Sequence, residues 1–269
     1  MYSRFLSLAC GAITTVFLAS SPAISRELKV CADPNNMPYS NAKGEGFENR
    51  IAELVATDMG ATAKFILKPE WRGFVRKGLK AGLCDVVPGV PTNFERVRAT
   101  KPYYTASYAF VQRQGASPIT SFDDERLKTS RIGVQLVGND GANTPPMDEL
   151  ARRGLNQHVQ GFMVYGDWSK PNPLAPIVDA VSNGDIDIAL VWGPIADYYA
   201  AREIPPLRVT PVTTGRLMSF SIAMGVRKQD KELANEINRI IDRRRDDIRK
   251  ILADYNITPS MDQKSATAE

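Results

Sequence analysis

The first third of the chain alternates short apolar runs with amphipathic segments. An apolar run at 28–32 leads into a turn-rich segment at 33–40, and apolar residues at helical spacing follow. Strand-like runs at 63–69 and 84–90 then flank a predicted helix over 71–82. Because strands and helices that alternate through short connections favour parallel pairing, this order predicts a parallel sheet with helices on both faces.

The same pattern begins again near residue 130. The predicted strands of this second round are 131–137, 162–166, 185–193 and 220–227, and its predicted helices are 145–153 and 174–183. A C-terminal helical stretch follows, and the charged residues 243–247 interrupt its apolar stripe. We interpret this interruption as a solvated joint between two helices rather than as a docking patch. The chain therefore consists of two similar α/β halves, the α/β fold class.

Composition excludes several classes of protein. Of the 269 residues, 43% are apolar and 24% are charged, as in an average globular protein, which excludes disordered, collagen-like and multi-span membrane chains. Lys and Arg number 34 against 30 acidic residues, and a net charge of +4 is too weak and dispersed to indicate a nucleic-acid partner. The single histidine, His158, excludes a two-histidine metal site, and its polar neighbours predict a surface position.

Residues 1–25 have the pattern of a secretory signal peptide. Arg4 precedes an apolar run at 5–18, and Ala23 and Ser25 are small residues at the positions that a signal peptidase reads. The run is shorter than the roughly 20 residues that a spanning helix needs, so a retained anchor is the less favoured alternative. Cleavage would leave a periplasmic protein of residues 26–269 that is not an integral membrane protein.

Removal of the signal peptide would leave two cysteines, Cys31 within one strand-like run and Cys84 at the start of another. An even number of cysteines in an exported protein favours a disulfide, which in the chain-entropy description contributes roughly 4 kcal/mol for a loop of this length. Two unpaired buried thiols are the alternative.

Several segments resemble the periplasmic solute-binding proteins of the amino-acid type, family 3. They are GEGFENRIAELVATDMG, GVPTNFERVRATKPYY, NGDIDIALVWGPIADYYA and the closing SIAMGVRKQDKELANEINRIID. The resemblance extends over residues 27–257 and implies two Rossmann-like lobes joined by two crossovers, the type II periplasmic binding protein fold. Residues 26–113 with 213–258 would form lobe 1, residues 114–212 lobe 2, and residues 259–269 a flexible tail. It also places the strand with Cys31 beside the strand with Cys84, within reach of a disulfide.

Two departures from the amino-acid binders concern the ligand. In those proteins an acid before the proline of the second-lobe motif holds the ligand ammonium group, whereas Trp192 occupies that position here. Arg96 matches the arginine that clamps a carboxylate, but it lies four residues after Thr92 instead of three. The resemblance therefore predicts that an ordinary α-amino acid is not the ligand.

A narrower resemblance is to the MoxJ/XoxJ proteins, which are partners of quinoprotein dehydrogenases in methanol oxidation. It is carried by CADPNNMPYSNAKGEGFENRIAEL, RGFVRKGLKAGLCDVVPGVP and RATKPYYTASYAFV. It implies a non-catalytic accessory without a cofactor, whose partner is a pyrroloquinoline-quinone (PQQ) alcohol dehydrogenase. The alternative is a receptor that binds a small carboxylate between Arg96 and Thr144 for an ABC permease. An enzyme is a third alternative, for which only Asp33 and Glu48 offer a loosely placed acid pair.

Loops after the predicted strands supply the candidate cleft residues, because ligands of such sheets meet the carboxyl ends of the strands. The residues that we expect to bind a ligand or partner there are Asp33, Asn36, Tyr39, Glu48, Trp71, Arg72, Thr92, Arg96, Asn139, Thr144 and Trp192. Tyr39, Trp71 and Trp192 would form an apolar wall suited to a protein side chain. Each candidate has a plainer explanation in turn chemistry, helix capping or core packing.

Overall fold

The computed structural model describes residues 26–68, 73–137, 143–167 and 169–259. The candidates Trp71, Arg72 and Asn139 lie outside these ranges. The strands are β1 Arg26–Ala32, β2 Asn35–Asn36, β3 Ser40–Asn41, β4 Ala61–Leu67, β5 Val86–Pro91, β6 Arg98–Ala99, β7 Tyr104–Gln112, β8 Ile132–Leu136, β9 Val159–Met163, β10 Ile188–Trp192, β11 Arg208–Pro211 and β12 Ser219–Val226. The α-helices are α1 Phe47–Asp58, α2 Pro145–Arg152, α3 Pro176–Asn183, α4 Gly193–Ala200, α5 Lys231–Arg243 and α6 Arg245–Asp254.

The main sheet has the strand order β4-β1-β5-β12-β7-β10-β8-β9, with β11 beside β7 and β6 beside β12. As predicted, β1 pairs in parallel with β4 and β5, and β8 pairs in parallel with β9 and β10. Strands β7 and β12 run antiparallel to their neighbours. The sheet is therefore two parallel sheets joined through antiparallel strands, which is the mixed α/β architecture with two lobes that the sequence predicts.

Strand β7 belongs to both halves of the sheet. Its first residues pair with β12, from Tyr104 opposite Ile222 to Ser107 opposite Ser219. Its last residues pair with β10 and β11, as Tyr108 does with Trp192. The crossover between the halves is therefore a strand with continuous hydrogen bonding, and the exact lobe boundaries remain a prediction.

Helix α1 packs on β1 and β4 through a fully buried face that includes Phe47, Ile51 and Val55. The predicted C-terminal stripe is also buried: Ile237 and Ile240 on α5 and Ile248 on α6 are at most 1% exposed. The joint between the helices lies at Arg244, whose guanidinium contacts the Asp58 carboxylate at 2.7 Å. No helix within the described ranges is both long and apolar enough to cross a membrane.

The predicted disulfide is present: Cys31 and Cys84 are bonded, with 5.5 Å between their Cα atoms. Both cysteines are buried in a small cluster with Leu79 and Val87. Gly78 lies directly against the bond, because a Cβ atom there would be 2.5 Å from the Cys31 sulfur. The disulfide therefore ties β1 to the segment before β5.

Two elements differ from their predictions. The described part of the expected helix over 71–82 is a π-helix, Phe74–Leu79, since periodicity over so few residues does not distinguish helix types. Strand β9 begins at Val159 rather than at 162, because its parallel pairing with β8, and not its local apolar run, sets its limits.

Candidate functional site

A large cavity opens between the two halves of the sheet, at the carboxyl ends of β1, β5 and β10. Its volume is about 1080 Å³. Its lining is mainly aromatic and apolar, and the aromatic residues are Tyr39, Phe65, Phe74, Phe94, Tyr104, Tyr108, Tyr165, Trp192 and Phe220. This volume is at the upper end of the range for small-molecule sites, so the cavity admits bulky apolar groups.

Five of the predicted site residues line this cavity. They are Asn36, Tyr39, Glu48, Arg96 and Trp192. They come from the loop after β1, from α1, from the loop after β5 and from the end of β10. Segments distant in the sequence therefore meet at one edge of the sheet, as the doubly wound pattern requires.

Three other predicted residues are not among those that line the cavity. Asp33 is buried, and its carboxylate accepts a hydrogen bond from the Asn35 backbone N–H at 2.8 Å, the turn role considered above. Thr92 is exposed. Thr144 is the N-cap residue of α2, but its hydroxyl donates to the Gln135 carbonyl oxygen at 2.6 Å instead of capping the helix.

Glu48 stands in the first turn of α1, where an acid is favoured by the helix dipole. Its position depends on Gly46, since a Cβ atom at residue 46 would lie 2.0 Å from the Tyr39 carbonyl oxygen. The Tyr103 hydroxyl donates to Glu48 Oε1 at 3.0 Å and itself accepts the Gly89 N–H at 3.0 Å. The carboxylate is therefore held by a short chain of hydrogen bonds that begins on β5.

Burial changes the titration of Glu48. The surrounding protein removes water from the carboxylate and raises its pKa from 4.5 to about 7, although the hydrogen bond from Tyr103 acts in the opposite direction. Burial and the nearby Glu48 charge raise the pKa of Tyr39, Tyr103 and Tyr104 well above 10. These hydroxyls are therefore neutral and able to donate at any physiological pH.

Trp192 forms the wall of the cavity on the side of β10. Its backbone N–H donates to the buried Gln135 side-chain oxygen at 3.0 Å. Its ring makes edge contacts with Tyr108, at 5.1 Å between centroids, and with Phe220, at 5.9 Å. Trp192 and Tyr39 line the cavity from opposite sides, and the Trp192 side chain acts to lower the pKa of Tyr39.

The loop after β1 contacts both halves of the sheet. The Asn35 side-chain amide donates to the Lys170 carbonyl oxygen at 2.9 Å, and the Tyr199 hydroxyl donates to the Met37 carbonyl oxygen at 3.0 Å. These contacts fix Tyr39, which lies on the same loop, at the boundary between the halves.

Both cationic and acidic side chains line the cavity. Arg76, Lys80 and Arg96 line it together with Glu48. The groups that determine the pKa of Glu48 are the surrounding protein and Tyr103, and none of the three cations is among them. Within the described ranges no cluster of metal-ligating side chains is found. The residues that line the site offer apolar, aromatic and ionic contacts to a ligand or partner.

Several lining residues were not predicted from the sequence, among them Tyr104, Tyr108 and Phe220. All three lie on the antiparallel strands β7 and β12, which join the two halves. Two of them lie in the segment RATKPYYTASYAFV, which also carries part of the family resemblance. Its aromatic residues at 104 and 108, on the same face of a strand, were the available signal.

Comparison with known proteins agrees with this architecture. Residues 28–257 match the bacterial extracellular solute-binding proteins, family 3. The chain is 30% identical to Protein MoxJ of Paracoccus denitrificans over 92% of its length and 95% of that protein. It is 32% identical to Protein MoxJ of Methylorubrum extorquens over 86% of its length and 80% of that protein.

The structural comparison gives the same grouping. The crystal structure of periplasmic binding protein XoxJ from Methylobacterium extorquens AM1 superposes with a TM-score of 0.73 at 29% identity, over 87% of this chain and 100% of that chain. The fold is thus the type II periplasmic binding protein fold. The chain belongs to the family 3 extracellular solute-binding proteins and, within them, to the MoxJ-like group.

Proposed function

We propose that this protein is a non-catalytic periplasmic accessory of a PQQ-dependent methanol or alcohol dehydrogenase. It binds the dehydrogenase, or one of its components, through the cleft between the lobes or through its rim, and so assists maturation or activation. The proposal includes export by residues 1–25 and the lobe boundaries expected above. Membership in the MoxJ-like group supports the choice of partner.

The observation that carries the proposal is the aromatic cavity. A small polar solute needs a compact pocket with several converging polar groups, whereas about 1080 Å³ lined mainly by apolar and aromatic residues suits the side chains of a protein segment. Trp192 stands where the amino-acid binders place an acid, and it packs against Tyr108 and Phe220. Tryptophan and tyrosine are the residues that most often dominate protein interfaces.

Binding of the exported protein to the dehydrogenase tests the proposal. The protein would be immobilised, and the dehydrogenase would be passed over it both fully assembled and during reconstitution with PQQ and metal. Trp192→Ala should weaken binding by at least about tenfold, the loss typical of an interface anchor. Ile204→Ala is the matched control, because Ile204 is an apolar side chain that is 94% exposed.

Circular dichroism must first show that both variants are folded. If no form of the dehydrogenase is retained by the wild-type protein, the partner assignment is wrong. If Trp192→Ala binds as tightly as Ile204→Ala, the dehydrogenase does not use the cavity.

A receptor for a small carboxylate is the second candidate, because Arg96 lines the cavity. The Thr144 hydroxyl is already bonded to Gln135, which leaves Arg96 without the second contact expected from the sequence. A thermal-unfolding screen of organic acids tests this candidate. A ligand that stabilises the wild-type protein but not Arg96→Ala would establish it.

A further inference from the structure

One corner of the cavity combines aromatic rings with a single carboxylate. Tyr39, Glu48, Tyr108 and Trp192 all line the cavity, and burial together with the charge of Glu48 raises the pKa of Tyr39. Tyr104 is close to Glu48 and Tyr39. The centroids of the Trp192 and Tyr108 rings are 5.1 Å apart and the ring planes cross at 68°, so the faces of the two rings point in different directions. Rings from β7, β10 and the loop after β1 therefore line the same cavity as Glu48.

The carboxylate in this corner has no cationic partner among the described residues. No ion pair there includes Glu48, and its bonded partner is the neutral Tyr103 hydroxyl. An ionised carboxylate held away from water without a counter-charge is unfavourable, and a bound cation would supply that charge.

Aromatic faces carry a negative quadrupole, so rings that surround a carboxylate attract a cation and give an anion no favourable contact. Alkyl groups on the cation would displace water from the rings, which a metal ion or ammonium itself could not do as well. We propose that the corner formed by Tyr39, Glu48, Tyr104, Tyr108 and Trp192 is a binding site for a small alkylated ammonium cation. The charge lies against Glu48 and the alkyl groups lie against the rings. This inference does not depend on the proposed dehydrogenase partner.

Calorimetric titration with choline and tetramethylammonium tests the proposal in the full exported protein. The control ligand is 3,3-dimethyl-1-butanol, a neutral compound with the shape of choline. At pH 8, choline should bind at least about tenfold more tightly than this alcohol, which is the effect of one desolvated cation–aromatic contact. Equal binding of the two, or no binding of either cation, overturns the proposal.

The pH dependence gives a second readout. Because only the ionised carboxylate attracts the cation and its pKa is about 7, choline affinity should fall about tenfold between pH 8 and pH 6. The hydroxyls of Tyr39, Tyr103 and Tyr104 interact with Glu48 and remain neutral throughout this range. The other charged side chains that line the cavity are Arg76, Lys80 and Arg96, and none of them contributes to the pKa of Glu48. A pH-independent affinity contradicts the assignment of the charge to Glu48.

Glu48→Gln keeps the shape of the side chain and removes its charge, so it should reduce choline affinity at pH 8 about tenfold and remove the pH dependence. Glu53→Gln is the matched control on an exposed position of α1. Trp192→Leu should weaken choline binding at every pH while the pH dependence persists. If Glu48→Gln does not fold, the choline–alcohol comparison and the wild-type pH profile decide the matter, and unchanged affinity in a folded Glu48→Gln refutes the proposal.

Discussion

Glu48 makes the stability of the protein depend on pH. Its pKa is 4.5 when exposed and about 7 in the fold. Between these values the folded protein holds a proton that the unfolded chain has released, so the free energy of unfolding decreases as pH rises from 4.5 to 7. Since one pKa unit corresponds to about 1.4 kcal/mol, the loss amounts to roughly 3 kcal/mol and is nearly complete by pH 8.

The perturbation that isolates this effect is Glu48→Gln. Glutamine can still accept the hydrogen bond from the Tyr103 hydroxyl, but it has no charge to bury. The variant should therefore match the wild-type protein near pH 4.5 and exceed its unfolding free energy by up to about 3 kcal/mol at pH 8. In a chain of this size that difference raises the melting temperature by roughly 6–12 °C.

Urea unfolding at half-unit intervals from pH 4.5 to 8.5 measures the difference directly. Subtraction of the two curves removes the contribution of every other titrating group, including Asp197, whose pKa burial raises to about 6. Glu53→Gln, on an exposed position of α1, should follow the wild-type curve. A constant offset between wild type and Glu48→Gln over the whole range would refute the reasoning, because it would show that Glu48 titrates normally in the folded protein.

Two further changes test how the fold holds the cavity. Replacing Cys31 and Cys84 together by serine should reduce the unfolding free energy by about 4 kcal/mol, because the disulfide closes a loop with a sequence separation of 53. A loss below about 1 kcal/mol in denaturant titrations would contradict this expectation. Gly46→Ala should lower the unfolding free energy by at least about 2 kcal/mol, because its Cβ would meet the Tyr39 carbonyl oxygen. Gly60→Ala has open space around the new Cβ but a φ of +65°, so it should lower the unfolding free energy by only about 1 kcal/mol. Similar melting temperatures for the two variants would show that the loop with Tyr39 shifts to accommodate the Cβ of residue 46.

The local pattern of apolar and polar residues was sufficient to predict most of the fold. Apolar runs and helical spacing predict the parallel strands and the buried stripe of α5 and α6, because these signals arise from burial of one face. Pattern was insufficient where a distant partner decides the structure. The limits of β9 follow from pairing with β8, and the dual membership of β7 follows from the crossover between lobes. The local sequence of these strands indicates neither feature.

The same distinction applies to the site. Tyr39, Glu48, Arg96 and Trp192 follow or end predicted strands, or begin a helix, so their place at the cavity was accessible from the sequence. The burial of Glu48 was not accessible, because the helix dipole alone explains an acid at that position. Its raised pKa comes from the surrounding protein, and the hydrogen bond that opposes this rise comes from Tyr103, which is 55 residues away.

Glu48 connects the stability of the protein to the proposed binding of a cation. A half-buried carboxylate without a cationic partner lowers the stability of the unliganded protein above pH 7, and a bound cation would restore it. Choline should therefore raise the melting temperature more at pH 8 than at pH 6, and Glu48→Gln should lose this response while it gains stability without ligand. An acid placed only for its helix position would produce neither effect, because the helix dipole stabilises the ionised form and would lower the pKa of Glu48 instead of raising it. Opposite changes in stability and ligand response on one substitution would assign Glu48 to binding rather than to the fold.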